Sequence, residues 1–410
     1  MSFKPKTNTT MTLDYSGKKA LVRVDFNVPL NADHVITDDT RMRAAMPTIK
    51  HILATGGAAI LMSHLGRPGK KTLPDGSIDV DTFTMRHLVD HLEKLSGAKV
   101  HFCPETVGEQ ATKMAANLNP GEILLLENTR FNPGEKKGDE AFAKKLSELG
   151  DLYVNDAFGT AHRAHASTTT VAQFFPKGQK EFGFLMNSEI ENANKVLNNP
   201  ERPLTAIVGG AKVSDKILLL ERLIDFVDKL IVGGGMAYTF MKATGGSIGK
   251  SLVEEEKLDL ANQLIAKAND KGVELLLPAD SIIADNFAAD ANTDTADSKN
   301  IPEGWMGLDI GPKARQAFAA VIKGSKTILW NGPMGVFEMD AFAQGTLAVA
   351  NATAEATDAG AFSLVGGGDS VSAVNKSGLS DRISFVSTGG GAMLEFLEGK
   401  DLPGIAAMES

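Results

Sequence analysis

Cationic side chains occur in two different patterns along this chain, and the more compact pattern lies in the second half. Lys212 and Lys216 stand four residues apart, directly after Gly209 and Gly210. If a helix begins near Val213, both lysines project from its first turn, where their charges oppose the helix dipole. A phosphate group at the helix N-terminus would compensate these charges, and glycines allow it to approach the backbone. Two solvated surface lysines are the alternative interpretation.

The first half carries single arginines that are far apart in sequence. These are Arg41, Arg67, Arg130 and Arg163. Guanidinium groups bind carboxylates and phosphates through paired hydrogen bonds, so convergence at one sheet edge would create a site for a small anion. Surface salt bridges are the alternative for each arginine. His64 is either a hydrogen-bond donor to that anion or a simple loop residue, and a metal site at His162 and His165 is the less favoured interpretation of that pair.

Two glycine clusters complete the pattern in the second half. Residues 366–368 are glycines followed by Asp369 and Ser370, and Thr388 is followed by glycines 389–391. Glycines in such positions expose backbone N–H groups to phosphate, and Asp369 can supply an oxygen ligand to Mg²⁺. A tight turn with Asp369 as the N-cap is the alternative. Several clusters in one half, each after an apolar run, favour a nucleotide phosphate site.

The common nucleotide-binding motifs are absent from the sequence. A Gly-Lys-Ser triplet ends at Ser251, but Thr244 occupies the position of the first P-loop glycine. Gly233 and Gly235 are followed by Tyr238 where the dinucleotide fingerprint needs a glycine. These departures argue against P-loop NTPases and NAD-dependent dehydrogenases.

The elements that position these residues are short apolar runs rich in Val, Ile and Leu, which are typical of strands buried on both faces of a parallel sheet. The predicted strands are 20–24, 58–62, 123–126, 152–154, 204–208, 230–232, 275–277, 327–330, 362–365 and 383–386. Stretches with helical spacing alternate with them, as at 83–95, 139–149, 216–226 and 254–267. We therefore predict an α/β fold with two doubly wound, Rossmann-like parallel sheets. Ligands bind such sheets at the carboxyl ends of their strands, which suggests a group-transfer enzyme.

A domain boundary is predicted between Pro176 and Pro203. Ser188 and Glu191 match a capping box, and 188–197 is predicted to be a helix that ends before Pro200. This helix is predicted to link the two domains, and a surface helix within one domain is the alternative. The polar stretch 288–300 is predicted to be a loop.

Composition limits the classes of protein that remain. A chain of 410 residues, 43% of them hydrophobic, favours two soluble domains. A net charge of -9 argues against nucleic-acid binding. Cys103 is the only cysteine, so no intrachain disulfide is expected, as in a reducing compartment. Residues 1–16 lack the apolar core of a secretory signal, and no run approaches the roughly 20 apolar residues of a membrane helix, so we expect a cytoplasmic protein.

Several of these motifs resemble the signatures of the phosphoglycerate kinase family, in the family's order from about Gly17 to Glu398. They are VRVDFNVP at 22–29, SHLGRP at 63–68, ENTRF at 127–131, AHRAH at 161–165, GGAKVSDK at 209–216, NGPMGVFE at 331–338 and the two glycine triplets. The resemblance implies reversible phosphoryl transfer between 1,3-bisphosphoglycerate and ADP, giving 3-phosphoglycerate and ATP. It also implies Mg²⁺, a monomer, and two domains that close on each other.

The resemblance further implies which part of the chain binds which substrate. A 3-phosphoglycerate-binding domain would comprise 1–187 and 395–410, an interdomain helix 188–199, and a nucleotide-binding domain 200–394. The substrate-binding residues would be Asp25, Phe26, Asn27, Arg41, His64, Leu65, Gly66, Arg67, Arg130 and Arg163. The nucleotide-binding residues would be Gly210, Lys212, Lys216, Gly235, Asn331, Pro333, Gly335, Glu338, Gly366, Gly367, Gly368, Asp369 and Ser370.

The resemblance also implies the catalytic roles. Arg41 and Lys212 would stabilise the transferring phosphoryl group, while Gly390 and Gly391 would donate backbone hydrogen bonds at a helix N-terminus. Asp369 would hold the magnesium ion and Glu338 the ribose. The chemistry agrees with the residues, because a carboxylate acceptor is already ionised at neutral pH and no general base is needed. A nucleotide-sugar glycosyltransferase and a non-enzymatic two-domain ligand-binding protein are the alternatives.

Overall fold

The computed structural model describes residues 10–409. The chain divides into two units, with boundaries between Glu191 and Asn192 and between Lys400 and Asp401.

The first unit is built on a six-stranded parallel sheet. Its strands are β1 (Lys19–Val24), β2 (Ala58–Met62), β3 (Val100–Cys103), β4 (Ile123–Leu126), β5 (Leu152–Asp156) and β6 (Lys180–Phe182), in the order β3-β4-β2-β1-β5-β6. Its helices include α1 (Thr40–Ala54), α2 (Val80–Phe83), α3 (Val89–Ser96), α4 (Glu109–Ala116) and α5 (Glu140–Ser147). Along β1, Ala20, Val22 and Val24 pack into one apolar cluster and Leu21 into another. Alternate residues thus face opposite sides of the sheet, and both sides are covered.

The second unit repeats this architecture with additional short strands. Its strands are β7 (Leu204–Val208), β8 (Lys229–Val232), β9 (Ser247–Ile248), β10 (Glu274–Leu276), β11 (Asp280–Ala284), β12 (Thr293–Asp297), β13 (Asn300–Ile301), β14 (Met306–Ile310), β15 (Thr327–Asn331), β16 (Phe362–Gly366) and β17 (Phe385–Val386). The main sheet is parallel, in the order β10-β8-β7-β15-β16-β17. The unit also contains a three-stranded antiparallel sheet, β12-β11-β14, and a separate pair of strands, β13-β9.

The remaining helices follow in chain order. They are α6 (Phe184–Leu197), α7 (Ile217–Ile224), α8 (Met236–Ala243), α9 (Leu258–Lys271), α10 (Pro312–Lys323), α11 (Gln344–Asp358), α12 (Gly368–Ser377), α13 (Gly391–Leu397) and α14 (Pro403–Glu409). None of the helices within residues 10–409 is long and apolar enough to cross a membrane.

The predicted α/β class with two doubly wound sheets is confirmed. In each main sheet the strand order reverses direction near the centre, between β1 and β5 in the first unit and between β7 and β15 in the second. Such a reversal opens a crevice at the carboxyl ends of the two neighbouring strands, where ligands bind in folds of this class. A ligand is therefore expected at the loops that follow these strands.

The polar stretch 288–300 departs from its predicted loop structure. Residues of β12 within it pair with β11, although four of the five β12 side chains are exposed. An edge strand whose side chains are polar on both faces lacks the apolar alternation that reveals strands in a sequence. Strand β12 was missed for this reason.

The start of α6 also differs from its prediction. The helix begins at Phe184, four residues before Ser188, so the predicted capping box lies inside the helix. The cap comes instead from Asp156 at the end of β5, whose carboxylate accepts a hydrogen bond from the Met186 N–H at 3.1 Å. A cap contributed by a distant strand leaves no local sequence signature. The predicted end at Leu197 agrees with the structure.

The last described residues pack within the first unit. The Gly404 N–H donates to the Ala161 carbonyl at 2.8 Å, and the Asn155 side-chain amide donates to the Gly404 carbonyl at 3.1 Å. This return begins at Asp401, whereas the resemblance implied a start at residue 395. The division into a phosphoglycerate domain, a linking helix and a nucleotide domain stays a prediction.

Candidate active site

The carboxyl end of β1 carries the first group of predicted site residues. Arg41, at the start of α1, donates from Nη1 to Asp25 Oδ2 at 2.9 Å and to the Asn27 carbonyl at 3.3 Å. The Asn27 side chain in turn accepts a hydrogen bond from the Gly66 N–H at 2.7 Å. These contacts join the loop after β1 to the loop after β2, as expected for neighbouring strands of a parallel sheet.

Arg130 completes the connection between these loops. Its Nη1 donates to the Gly66 carbonyl at 2.7 Å, while its buried Nε has no hydrogen-bond partner among residues 10–409. Burial lowers the pKa of Arg130 to about 10, and the nearby charges of Arg163 and Arg23 act in the same direction. An anionic ligand would relieve this repulsion and could occupy the free donor.

His64 lies at the centre of this positive charge. Its side chain is 3% exposed, and burial together with Arg23, Arg130, Arg163 and Arg41 holds the pKa of its imidazole well below the usual value. The ring is therefore neutral at pH 7, so it can donate a hydrogen bond without contributing a charge.

Two further predicted arginines lie near this group in the fold or in sequence. Arg163 donates from Nε to His162 Nε2 at 3.1 Å and interacts electrostatically with both His64 and Arg130. Arg67 follows Gly66 and is exposed, and its guanidinium makes no hydrogen bond or ion pair within residues 10–409. No group of three or more His, Cys, Asp or Glu side chains in that range is arranged to hold a metal ion.

Two of the predicted substrate-binding residues have side chains in the core. The side chains of Phe26 and Leu65 are buried in the apolar cluster beneath β1, so only their backbone groups can face a ligand. The Phe26 N–H is already donated to Ser63 Oγ at 2.9 Å. Gly66 has a φ of +63°, and a Cβ there would lie 2.5 Å from the Phe83 ring. We infer that these residues shape the loop.

In the second unit, the loops after β7 and β15 meet at the reversal of strand order. The Lys216 ammonium donates to Asn331 Oδ1 at 2.5 Å, and the Gly209 N–H donates to the Asn331 carbonyl at 3.0 Å. The buried Asn331 Nδ2 has no partner within residues 10–409. Burial lowers the pKa of Lys216, although the carboxylates of Asp369, Glu398 and Asp215 oppose the shift.

The glycines near this crevice fall into two classes. At Gly209 a Cβ would lie 2.0 Å from the Pro333 carbonyl oxygen, and at Gly335 it would lie 2.4 Å from Asp309 Oδ1, so these glycines let backbone segments pack closely. A Cβ at Gly366, Gly367 or Gly235 would also contact neighbouring atoms. At Gly210 it would meet only the Lys216 side chain, at 3.9 Å. A Cβ at Gly368, Gly390 or Gly391 would meet nothing within 4 Å. The open glycines are those that can expose N–H groups to a ligand.

The first turn of α12 contains Ser370, which is buried and hydrogen-bonded, and Asp369, which is exposed. The Gly332 N–H donates to the buried Ser370 hydroxyl at 2.6 Å, which ties α12 to the loop after β15. Asp369 lies in the first turn and is exposed, and Gly367 rather than Asp369 occupies the N-cap position. Glu338 is also exposed, at the far end of the same loop, after the half-buried Pro333.

The predicted position of the two lysines on a helix is wrong in one respect. The helix α7 begins at Ile217, so Lys216 precedes it and Lys212 lies in the preceding loop. Glu254 holds this loop: its carboxylate accepts hydrogen bonds from the Ser214 N–H at 3.0 Å and from the Ser214 hydroxyl. Lys212 is exposed, without a hydrogen bond or ion pair within residues 10–409, and lies within electrostatic range of Glu254.

Two important residues were not among the predicted site residues. Arg23 lies on the central strand β1 and is fully buried although it is charged. Glu254 is 8% exposed. The sequence did contain a signal for Arg23, because it is a charged residue inside an otherwise apolar strand. Glu254 gave no signal, because it stands in an acidic stretch that has the composition of a solvated helix start.

Comparisons with known proteins agree with this arrangement. A sequence model of the family described as phosphoglycerate kinase matches residues 10–400. A phosphoglycerate kinase from Porphyromonas gingivalis is 50% identical over 98% of this chain and 100% of its own length. "Phosphoglycerate kinase 3, cytosolic" from Arabidopsis thaliana is 52% identical over 100% of both chains.

Solved structures give the same result. Phosphoglycerate kinase from Coxiella burnetii superimposes with a TM-score of 0.84 at 42% identity, over 97% of each chain. The enzyme from Pyrococcus horikoshii gives a TM-score of 0.80 at 29% identity, also over 97% of each chain. Neither the glycosyltransferase nor the binding-protein alternative is favoured. The chain belongs to the phosphoglycerate kinase family, whose members are phosphotransferases with a carboxyl group as acceptor.

Proposed function

We propose that the arginine group of the first unit binds 3-phosphoglycerate or 1,3-bisphosphoglycerate, and that the lysine and glycine loops of the second unit bind ATP or ADP. The observation that carries this proposal is the crowding of guanidinium groups around His64. Arg23, Arg41, Arg130 and Arg163 all act on one imidazole. A ligand with a carboxylate and a phosphate at its two ends would compensate that charge, and Arg67 offers one more unengaged guanidinium.

The chemistry needs alignment and charge compensation more than proton transfer. In the ATP-consuming direction, a carboxylate oxygen forms a bond to the γ-phosphorus while the bond from that phosphorus to the bridging oxygen of ADP breaks. The acceptor is already ionised, so no residue must remove a proton. Negative charge on the transferring group is met by Arg41 and Lys212, and by backbone N–H groups at Gly390 and Gly391.

The residues around Asp369 fit a nucleotide-bound magnesium ion. Mg²⁺ is usually held by one or two carboxylates together with substrate phosphates and water, not by a closed cage of protein ligands. Asp369 supplies one exposed carboxylate beside open glycines and within electrostatic range of Lys216. When bound there, Mg²⁺ would neutralise charge on the nucleotide phosphates.

Replacement of Asp369 tests this assignment. We expect Asp369→Asn to raise the Mg²⁺ concentration for half-maximal rate by about tenfold or more, because the amide supplies a neutral ligand in place of an anion. The measurement is a Mg²⁺ titration of the rate at fixed nucleotide. Asp381→Asn, an exposed acid beyond the end of the same helix, is the matched control. An unchanged Mg²⁺ requirement in Asp369→Asn would remove the residue from the proposed metal site.

Glu254 is expected to support nucleotide binding indirectly. Without its carboxylate, the Ser214 N–H and hydroxyl lose their acceptor and the loop bearing Lys212 loses its anchor. We expect Glu254→Ala to lower kcat/KM for ATP by about tenfold, the effect of roughly 1.4 kcal/mol. Steady-state kinetics would measure it, with Glu255→Ala as a control because Glu255 is exposed on the same segment. Equal kinetics in the two variants would contradict the anchoring role.

The direct test of the proposed function uses ATP, Mg²⁺, 3-phosphoglycerate and hydroxylamine. Hydroxylamine traps an acyl phosphate as a coloured hydroxamate, so a signal that requires both substrates establishes acyl-phosphate formation. Acetate in place of 3-phosphoglycerate is the control for acceptor identity, and we expect it to give no signal. Folded protein that gives no signal with 3-phosphoglycerate would overturn the substrate assignment.

We further infer that the protein acts as a cytoplasmic monomer without a nucleic-acid or membrane partner. The net charge of -9, the single cysteine and the cytosolic name of the Arabidopsis relative support this inference. Sedimentation analysis at several protein concentrations would reveal a dimer if one formed.

A further inference from the structure

A buried polar network lies behind His64 in the first unit. Arg23 is fully buried, and its Nε donates to Ser167 Oγ at 2.8 Å. Ser167 Oγ donates to Glu135 Oε1 at 2.6 Å, and the Ser167 N–H donates to Glu135 Oε2 at 3.0 Å. Ser167 and Glu135 are both buried completely. The serine thus bridges a buried cation and a buried anion that make no direct ion pair.

The other end of this network contacts the imidazole of His64. Arg23 Nη2 lies 3.4 Å from His64 Nδ1, and Arg23 Nη1 donates to the Val24 carbonyl. A guanidinium has only donors, so Nδ1 must present its lone pair to Arg23 and cannot carry a proton. The ring proton is then on Nε2, which has no hydrogen-bond partner within residues 10–409.

The position of Arg23 is fixed by its partners. Arg23 Nε is held by Ser167 and Nη1 by the Val24 carbonyl, so Nη2 is the remaining side of the fork. A buried charge that loses its hydrogen-bond partners is costly, so Ser167, which Glu135 holds in place, opposes any movement of Arg23. The groups that act on His64 from the other elements are also cationic: Arg41, Arg130 and Arg163.

We propose that Arg23, Ser167 and Glu135 are positioning residues that hold His64 as the neutral tautomer with its proton on Nε2. His64 then offers an uncharged, oriented donor to an anionic ligand in the middle of the arginine group. This consequence rests on the proposed function, in which His64 contacts 3-phosphoglycerate. The tautomer itself does not, because it follows from the contact between Arg23 Nη2 and His64 Nδ1.

The tautomer can be measured directly in the wild-type protein. In long-range ¹H–¹⁵N spectra of histidine-labelled protein, the His64 signals are identified by their absence from His64→Gln. We expect Nδ1 to show the shift of an unprotonated nitrogen and Nε2 that of a protonated one at neutral pH. A ring with its proton on Nδ1, or a doubly protonated ring, would overturn the proposal without any variant of the network.

The role of the network is tested by Ser167→Ala, which removes the bridging hydroxyl. We expect a mixture of the two tautomers and a threefold to tenfold higher KM for 3-phosphoglycerate, with kcat within twofold of wild type. Thr168→Val is the matched control, because the neighbouring Thr168 hydroxyl is buried without a hydrogen-bond partner among residues 10–409. It should leave both readouts unchanged.

The outcomes separate this proposal from the proposed function. A higher KM in Ser167→Ala with an unchanged His64 spectrum would indicate a merely structural role and overturn the positioning role. If the hydroxylamine test failed while the tautomer and its response to Ser167→Ala were as expected, the network would stand and the substrate assignment would not.

Discussion

Replacement of Arg41 by alanine should lower kcat by about 10²- to 10³-fold and change the affinity for 3-phosphoglycerate much less. A loss in kcat of this size is expected when one preorganised donor that stabilises developing negative charge is removed. Arg41 donates to Asp25 and to the Asn27 carbonyl, both through Nη1. Its Nη2 and Nε make no hydrogen bond within residues 10–409, so a donor edge is available without loss of the Asp25 contact.

This geometry explains why the loss should fall on kcat. An interaction made equally with bound substrate and transition state changes KM, whereas one that strengthens only in the transition state changes kcat. Arg41 sits on the first turn of α1 with 36% of its side chain exposed, whereas His64 is buried. We propose that the buried His64 binds the resting substrate and that the half-exposed Arg41 meets charge as it develops.

The control for this prediction lies on the same helix. Arg43 pairs with Asp39 at 2.8 Å across one helical turn, and its side chain is 46% exposed. Arg43→Ala should leave kcat and KM within about twofold of wild type, because exposed pairs contribute little. The measurement is steady-state kinetics in both substrates, together with calorimetric binding of 3-phosphoglycerate. Equal losses of kcat and of affinity in Arg41→Ala would contradict its assignment to the transferring group.

The sequence was informative wherever the function depends on strand ends. Apolar runs predicted β7 and β15, and the residues after them, Lys216 and Asn331, do meet at the reversal of strand order. The same logic placed Asp25 and His64 after two strands of the first sheet, and the structure shows that these strands, β1 and β2, are neighbours. A parallel sheet brings the carboxyl ends of its strands to one edge, so these contacts follow from the order of runs and the residues that end them.

Residues that act through tertiary contacts were much harder to predict. Glu254 reaches back 40 residues to hold Ser214, and Asp156 reaches forward 30 residues to cap α6. Neither spacing matches a local motif, because each contact depends on how loops fold over a sheet edge. Ser370 shows a second role that the resemblance did not imply: its hydroxyl accepts a hydrogen bond from the Gly332 N–H, while its contact with a ligand stays a prediction.

Lys216 is the residue of the second unit whose loss should have the largest effect. We expect Lys216→Met to lower kcat/KM for ATP by about 100-fold, because a charge-assisted hydrogen bond to a buried phosphate contributes roughly 1.5–3 kcal/mol. Methionine keeps most of the apolar stem and removes only the ammonium. The measurement is the rate at varied ATP, with Lys242→Met as the control because Lys242 is exposed in the last turn of α8.

Thermal stability separates this role from a structural one. Burial lowers the pKa of Lys216, which means that the folded protein disfavours its charged form. A lysine whose charged form is disfavoured by folding does not stabilise the folded protein. Such a lysine is expected where its charge serves to bind a phosphate. Lys216→Met should therefore lose activity while its Tm stays the same or rises, even though Asn331 Oδ1 loses a donor. A Tm that falls together with activity would show that the lysine mainly supports the loops around Asn331, and its proposed contact with the nucleotide would be withdrawn.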